Sequence, residues 1–274
     1  KIRASRHFYT DGIYAAVRRC GDSWQVAADS AVILPEGSSS SLAVRHSVTA
    51  PDGTLVSGSV DSVLDAMTAY CPYQNKDIRV FANSQTLCVS APLLWDIESP
   101  NLYTLTSELI DGSRVIDRAV CRIGFRTAEF TPEEGFLLNG RKVRINGACE
   151  HHDLGCLGSA VNRTALRRQL LLLKEMGVNA VRTSHNMPAV ELMELADELG
   201  ILIDSEAFDM WECPKTKYDY ARFFNDWCRR DVASWIRRDR NHPSVILWSI
   251  GNEIYDTHAG DRGQEITRLL TEYV

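Results

Sequence analysis

The sequence predicts a multidomain β plus α/β protein, a β-sandwich followed by the first half of a parallel β/α barrel. Three observations predict it. Short β-prone stretches separated by turn signals fill residues 1 to about 127. Beyond residue 128, strands and amphipathic helices alternate. Only about four β/α units are countable, where a closed barrel of this kind takes about eight in roughly 250 residues.

The β-part is read from its punctuation. Ser41–Ala50, Ile78–Phe81 and Thr86–Ser90 are β-prone, and Pro51-Asp52-Gly53, Asn83-Ser84 and Asp111-Gly112 read as turns between strands. Leu102 to Ile110 and Val115 to Ile123 flank Asp111-Gly112 as the arms of a hairpin. Many short strands at this spacing make a sandwich. Residues 35–41, Pro-Glu-Gly followed by four serines, read as a loop.

The α/β part opens with a hairpin, Phe136–Leu138 and Val143–Ile145 around Asn139-Gly140. A first barrel strand is expected near Val143–Cys149. The helix Thr164–Met176 follows, with Leu166, Leu170, Leu173 and Met176 on one face and Gly177 as its stop. Next come a strand at Val178–Arg182, a helix at Pro188–Leu199 closed by Gly200, and a strand at Ile201–Asp204. A long helix, Tyr220–Arg240, carries Phe224, Trp227, Cys228 and Trp235 on or near one side. A fourth strand at Val245–Ile250 and a helix at Gly263–Tyr273 complete the series. Alternation of this kind implies parallel pairing, and an open sheet edge that needs cover.

Composition narrows the classes. At 45% hydrophobic and 24% charged residues, the 274-residue chain has the material for a globular core. The formal net charge is −6 with no Lys/Arg-rich run, which argues against a nucleic-acid partner. No apolar run approaches the roughly 20 residues of a membrane helix, and the first residues carry no signal-peptide core. A cytoplasmic or periplasmic location is therefore the expectation, and a homo-oligomer is compatible with it. The eight cysteines form no CxxC pair or zinc-like spacing, so free buried thiols are expected.

In parallel β/α folds the chemistry gathers where strands end. Glu150-His151-His152-Asp153 follows the first strand, and Arg182 to Asn186, with His185, closes the second. Glu206, Asp209 and Trp211 follow the third, and Asn252-Glu253 follows the fourth. Each cluster holds an acid, an imidazole or an amide. Two carboxyl groups flanking a bond are what glycoside hydrolysis requires. Glu253 is the candidate proton donor, its pKa expected to rise through burial and a second carboxylate. Asn252 is placed to bond a sugar hydroxyl, and Trp211 and Trp248 offer flat apolar faces to a pyranose. Plainer roles stay open at this point. Taken alone, Glu253 is more readily a surface or salt-bridge residue and Trp248 more readily core, and Glu206 is also readable as a supporting hydrogen-bond partner. His151-His152 reads as a loop pair or, less readily, a metal site, since adjacent strand residues point to opposite faces. Arg182 is also readable as the partner of Glu206 or Asp204.

Two stretches carry a family resemblance. Asn179-Ala180-Val181-Arg182-Thr183-Ser184-His185-Asn186-Met187-Pro188 resembles the first signature of glycoside hydrolase family 2, and residues 239–253, ending Trp248-Ser249-Ile250-Gly251-Asn252-Glu253, resemble its acid/base signature. Residues 147–161, with His151-His152-Asp153, look like the family's first barrel strand and loop, and residues 205–211 like its third. The resemblance implies residues 1–17 as the tail of an N-terminal sugar-binding sandwich, 18–127 as an immunoglobulin-like β-sandwich, and 128–274 as the N-terminal part of a TIM (β/α)8 barrel. It implies Glu253 as general acid/base, Asn252 on the 2-hydroxyl, and His185 and Arg182 in the sugar subsite, with His151, His152, Asp209 and Trp211 as further substrate contacts.

The reaction so implied is retaining exo-hydrolysis of a terminal β-linked sugar, with β-galactosidase the first choice. β-Glucuronidase, β-mannosidase or a non-catalytic sugar-binding fragment are the rivals. The family's nucleophilic Glu has no match here and is expected beyond residue 274, since Glu265 falls in a helix. The magnesium-binding His of some family members has no match near Trp211-Glu212, so no metal and no cofactor is expected.

Overall fold

The computed structural model describes residues 7–34, 42–258 and 260–274. The chain divides into two compact units, Lys1–Arg141 and Lys142–Val274. The loop expected at residues 35–41 lies outside the described residues.

The first unit carries β1 (Phe8–Cys20), β2 (Ser23–Val32), β3 (Ala43–Thr49), β4 (Leu55–Gly58), β5 (Ser62–Val63), β6 (Asp65–Cys71), β7 (Lys76–Ser90), β8 (Tyr103–Asp111) and β9 (Arg114–Ile123). One sheet runs β1-β2-β7-β6, and the other runs β4-β3-β8-β9 with β5 beside β3. Along β2 the side chains alternate between buried and half-buried, the period expected of a strand with one face on a core. Trp24, Val26, Ala28 and Val32 from β2 share a cluster with Val44 and Val48 of β3 and Leu105 and Leu109 of β8. Phe125 closes it, with the rings of Trp24 and Tyr103 edge-on at 5.8 and 4.8 Å.

The β8–β9 hairpin forms around Asp111-Gly112, with Gly112 at a positive φ of 60°. The Pro51-Asp52-Gly53 turn also forms; Asp52 Oδ1 accepts from the Thr54 amide at 2.9 Å. Asn83-Ser84 is not a turn. β7 runs through it because β2 pairs with it continuously from Phe81 to Ser90, while the β6 ladder on its other edge ends at Ala82. Ladder pairing with β2 outweighs the local turn preference, and on the open edge the Asn83 side-chain amide donates to Ser62 Oγ and the Val63 carbonyl.

The expected boundary at residues 17/18 is corrected. β1 crosses it and stays in register with β2 from Ile13 to Cys20, so residues 8–17 are a strand of this same sandwich. The second expected boundary, 127/128, falls just before a small sheet. Strands β10 (Ala128–Thr131), β11 (Gly135–Leu138) and β12 (Arg141–Lys142) form a small antiparallel sheet most of which clusters with the first unit. Asn139 ties it there, donating to the Trp95 carbonyl at 3.0 Å. Asn139 and Gly140 have φ of 53° and 72°, as a tight hairpin turn requires. The hairpin's second arm is Arg141–Lys142 rather than Val143–Ile145.

The second unit carries β13 (Gly147–His151), α1 (Arg163–Glu175), β14 (Ala180–Ser184), α2 (Val190–Leu199), β15 (Leu202–Glu206), α3 (Ala221–Asp239), β16 (Val245–Ser249) and α4 (Asp261–Tyr273). The four strands are parallel and lie in sequence order, β13-β14-β15-β16. The glycine stops are those read from the sequence, and the structure adds an N-cap. Asn162 Oδ1 accepts from the Ala165 amide at 3.0 Å to start α1, while Gly177 and Gly200 take positive φ after α1 and α2.

Two helix faces are narrower than the spacing suggests. Leu166 and Leu170 are buried on α1, but Met176 is exposed past its end. On α3 the buried stripe is Phe224, Cys228, Val232 and Trp235, whereas Trp227 is exposed beneath the Arg230 guanidinium, 4.3 Å from its ring centroid. All eight cysteines are free, and Cys71 and Cys228 are buried, while Cys20, Cys88, Cys149 and Cys156 are exposed because strand alternation or a loop turns them outward. No helix among the described residues is long and apolar enough to cross a membrane.

Strand alternation sets up the site. Val181 and Ile203 pack with Leu170, Leu192 and Leu195 on the helix side. Their neighbours Arg182, Asp204 and Glu206 therefore face the opposite side. The register lines up Cys149, Arg182, Asp204 and Leu247 across the four strands, with Glu206 beside Ser249.

Candidate active site

Glu206, at the end of β15, is the hub. Its side chain is 1% exposed. Oε2 accepts from Arg182 Nε at 3.0 Å, Arg182 Nη2 at 2.7 Å and Ser249 Oγ at 2.7 Å. Oε1 lies 2.9 Å from His185 Nδ1. A carboxylate oxygen can only accept, so Nδ1 carries the proton and Nε2 of a neutral His185 is left as an acceptor. The His151 ring meets His185 edge-on at 5.1 Å. The Ser184–His185 peptide is cis.

The array continues to the end of β16. Arg182 Nη2 also donates to Asn252 Oδ1 at 2.9 Å, and Asn252 Nδ2 donates to Asp209 Oδ1 at 2.9 Å. Lys215 Nζ donates to the same Asp209 oxygen at 2.8 Å and to the Asn252 carbonyl at 2.9 Å. Burial works to raise the Asp209 pKa, but the bonds from Lys215 and Asn252 outweigh it and hold the carboxyl below the ordinary value. Asp204, deeper in the sheet, goes the other way: burial and the charge of Glu206 raise it against the pull of Arg182. Glu150 at the end of β13 is also raised, by burial, against a hydrogen bond from Gln169.

Glu253 follows with φ of 45°, a left-handed conformation that costs an L-residue about 1 kcal/mol or more. Its carboxyl is not buried as expected. The side chain is 81% exposed, and Lys215 Nζ lies 3.9 Å from Oε2. Arg182, His185, Asp209 and Asn252 are thus joined in one network with Glu253 at its rim, and His151 touches it through His185.

Two expected contacts are corrected, Trp211 and His152, and one core reading, Trp248, holds. Trp211 offers no sugar platform: it is buried against Phe224, and its indole N–H donates to the Ile250 carbonyl at 2.8 Å. Trp248 packs edge-on against Trp235 at 4.9 Å, which makes it core. His152 turns away from the network, its Nε2 lying 3.0 Å from the Ser159 carbonyl, as alternation from His151 demands. Lys215 and Ser249 were missed. Ser249 lies in β16 beside Glu206 and was legible only from the register. Lys215 comes from a loop nine residues past Glu206, with no periodicity to place it.

The model of the glycosyl hydrolases family 2 TIM barrel domain matches residues 131–272, and that of glycosyl hydrolases family 2 matches residues 22–126. The chain belongs to glycosyl hydrolase family 2. Among curated family-2 relatives, β-galactosidase BoGH2A of Bacteroides ovatus is 53% identical over 173 residues, covering 63% of this chain and 20% of that protein. A putative β-glucuronidase of Formosa agariphila is 42% identical over 194 residues, covering 69% of this chain and 19% of that one. The crystal structure of a family-2 member from Bacteroides cellulosilyticus superposes with a TM-score of 0.88 at 35% identity, over 97% of this chain and 33% of that one. The chain therefore spans about a fifth of the length of these curated relatives. The β-sandwich and the part of a TIM barrel that follows it correspond to these two family-2 models in turn.

Proposed function

We propose that the protein to which this chain belongs is a retaining exo-β-glycosidase, with Glu253 as general acid/base. The observation that carries the reading is the coupling of Asn252-Glu253, at the end of β16, to Arg182, Glu206, His185 and Asp209 at the ends of β14 and β15. An exposed carboxyl at the strand-end rim can reach a glycosidic oxygen, and Asn252 beside it is held by bonds that leave little freedom.

Glu253 would protonate the departing oxygen while a second carboxylate attacks the sugar carbon. Glu253 would then take a proton from water as the glycosyl-enzyme breaks down. The attacking carboxylate comes from a later strand, outside these 274 residues, about 5–5.5 Å from Glu253 in the complete site. Glu206 is not that nucleophile in this reading, since both its oxygens are occupied by Arg182, Ser249 and His185.

Galactose is the proposed glycone, supported by the 53% identical relative named a β-galactosidase. The 42% identical relative named a putative β-glucuronidase favours a second reading, in which a substrate carboxylate is bound. The test is turnover of nitrophenyl β-D-galactoside and β-D-glucuronide by the full-length protein, with the anomer of the first product read by NMR. A β-anomer first, from the galactoside, is expected. An α-anomer first overturns retention; a glucuronide preference overturns galactose.

A further inference from the structure

The direction of Glu253 is not set by contacts of its own side chain, which is 81% exposed. It is set by the peptide that precedes it. The Asn252 amide N–H donates to the Phe208 carbonyl at 3.0 Å, and the Asn252 carbonyl accepts from Lys215 Nζ at 2.9 Å. That carbonyl belongs to the peptide plane from which Glu253 departs. Fixing the plane fixes the starting point of the Glu253 φ rotation, which here takes the unusual value of 45°.

Lys215 is itself held in place. Asp219 Oδ2 accepts from the backbone amides of Lys215 and Thr216, both at 2.7 Å, and its Oδ1 accepts from Ala221 at 3.1 Å. The Lys215 side chain is only 14% exposed. With Asp209 it closes a ring: Lys215 to Asp209 Oδ1, Asn252 Nδ2 to the same oxygen, and the Asn252 carbonyl back to Lys215. A lysine serving only as the counter-ion of Asp209 would not need to reach the backbone one residue before Glu253, nor to sit 3.9 Å from its carboxyl.

We infer that Lys215 is a positioning residue for Glu253, clamping the Asn252–Glu253 peptide so that the carboxyl is aimed at the leaving oxygen. The inference rests on the reading of Glu253 as acid/base. Misaiming a proton donor costs most where the leaving group most needs the proton. It costs little where the leaving group departs unaided as a stable anion.

The experiment is a leaving-group series on the full-length enzyme. kcat/KM is measured for aryl and alkyl glycosides, from 2,4-dinitrophenyl to methyl, of whichever glycone the wild type turns over, galactose or glucuronic acid. Lys215→Met is expected to lose roughly 10- to 100-fold on the poor leaving groups and less than about 3-fold on dinitrophenyl. Lys215→Arg, which keeps the cation, is expected to recover most of the loss. Should Lys215→Met fail to fold, Lys215→Gln is read on the same series. Glu253→Gln separates the two claims. If it shows the leaving-group dependence and the Lys215 variants lose rate uniformly, Lys215 is merely structural and the inference is overturned. If Glu253→Gln itself loses rate uniformly, the acid/base reading falls and takes the inference with it.

Discussion

Arg182 donates to a single oxygen of Glu206 through both Nε and Nη2, at 3.0 and 2.7 Å, while the Glu206 side chain is 1% exposed. The pair is buried on one side only, since Arg182 keeps part of its surface in water. Glu206→Gln removes the charge that Arg182 faces and forces an amide into a place where only acceptors fit. A stability loss of about 3 kcal/mol is expected, the low end for breaking a buried pair. The same guanidinium holds Asn252, so kcat/KM should fall too. Urea unfolding and steady-state kinetics on the full-length protein check both; a loss under about 1 kcal/mol would mean that the pair is worth no more than an exposed one.

His46 predicts an acid-sensitive sandwich. It is fully buried, its Nδ1 lies 2.8 Å from Ser107 Oγ, and Nε2 has no hydrogen-bond partner among the described residues. Burial pushes its pKa down from 6.5 to about 4. The neutral ring is thus the folded form, and the unfolded chain binds a proton first as the pH falls. The contribution is fully present above pH 6.5 and is lost between 6.5 and about 4. Its size is on the order of 3 kcal/mol. Urea midpoints at pH 7.5 and 4.5, compared between wild type and His46→Leu, measure it. Identical pH slopes for the two proteins would remove His46 as the cause.

What the sequence made legible follows from periodicity and strand ends. The four parallel strands and their helices could be read because Leu166 and Leu170, or Phe224, Cys228 and Trp235, repeat at helical spacing, and Gly177 and Gly200 mark stops. That Arg182, His185, Asp209 and Asn252 come together was legible because strand ends in a parallel sheet converge. Errors arose where partners far along the chain decide. Asn83-Ser84 carries turn residues but is held in β7 by its pairing with β2. Residues 8–17 fit the sandwich only once β2 is beside them. Trp211 has the same composition signal as a sugar platform, and only packing against Phe224 separates core from rim, whereas Trp248 could be read as core from its place inside the strand. Lys215 is invisible in sequence because its address is a loop conformation built by Asp219.

Trp211 therefore yields a prediction opposite to that for a substrate platform. Trp211→Phe keeps an aromatic ring next to Phe224 but leaves the Ile250 carbonyl without the indole donor. A loss of about 1–3 kcal/mol in stability is expected, with KM for aryl glycosides unchanged within about 2-fold. A raised KM at unchanged stability would return Trp211 to the sugar subsite.

Gly263 tests the packing that closes α4 behind β16. A glycine in a helix ordinarily gains roughly 1 kcal/mol on replacement by alanine. Here the sign reverses. A Cβ on Gly263 would stand 2.3 Å from the Asp256 carbonyl oxygen and 2.9 Å from the Thr257 Cα, both backbone atoms that no rotamer change can move. The Asp256 carboxylate is itself buried and accepts from the Cys213 amide at 3.1 and 3.2 Å, so a shift there propagates into the loop that leads to Lys215. Gly263→Ala is expected to lower stability by about 1–3 kcal/mol, read as a fall in the urea midpoint of the full-length protein. It should also reduce kcat/KM more on poor leaving groups than on dinitrophenyl glycosides, because the disturbance reaches Glu253 through Lys215. A midpoint that rises instead would mean that α4 has room to slide away from the 256–257 backbone, and that the Asp256–Cys213 link does not bind this helix to the site.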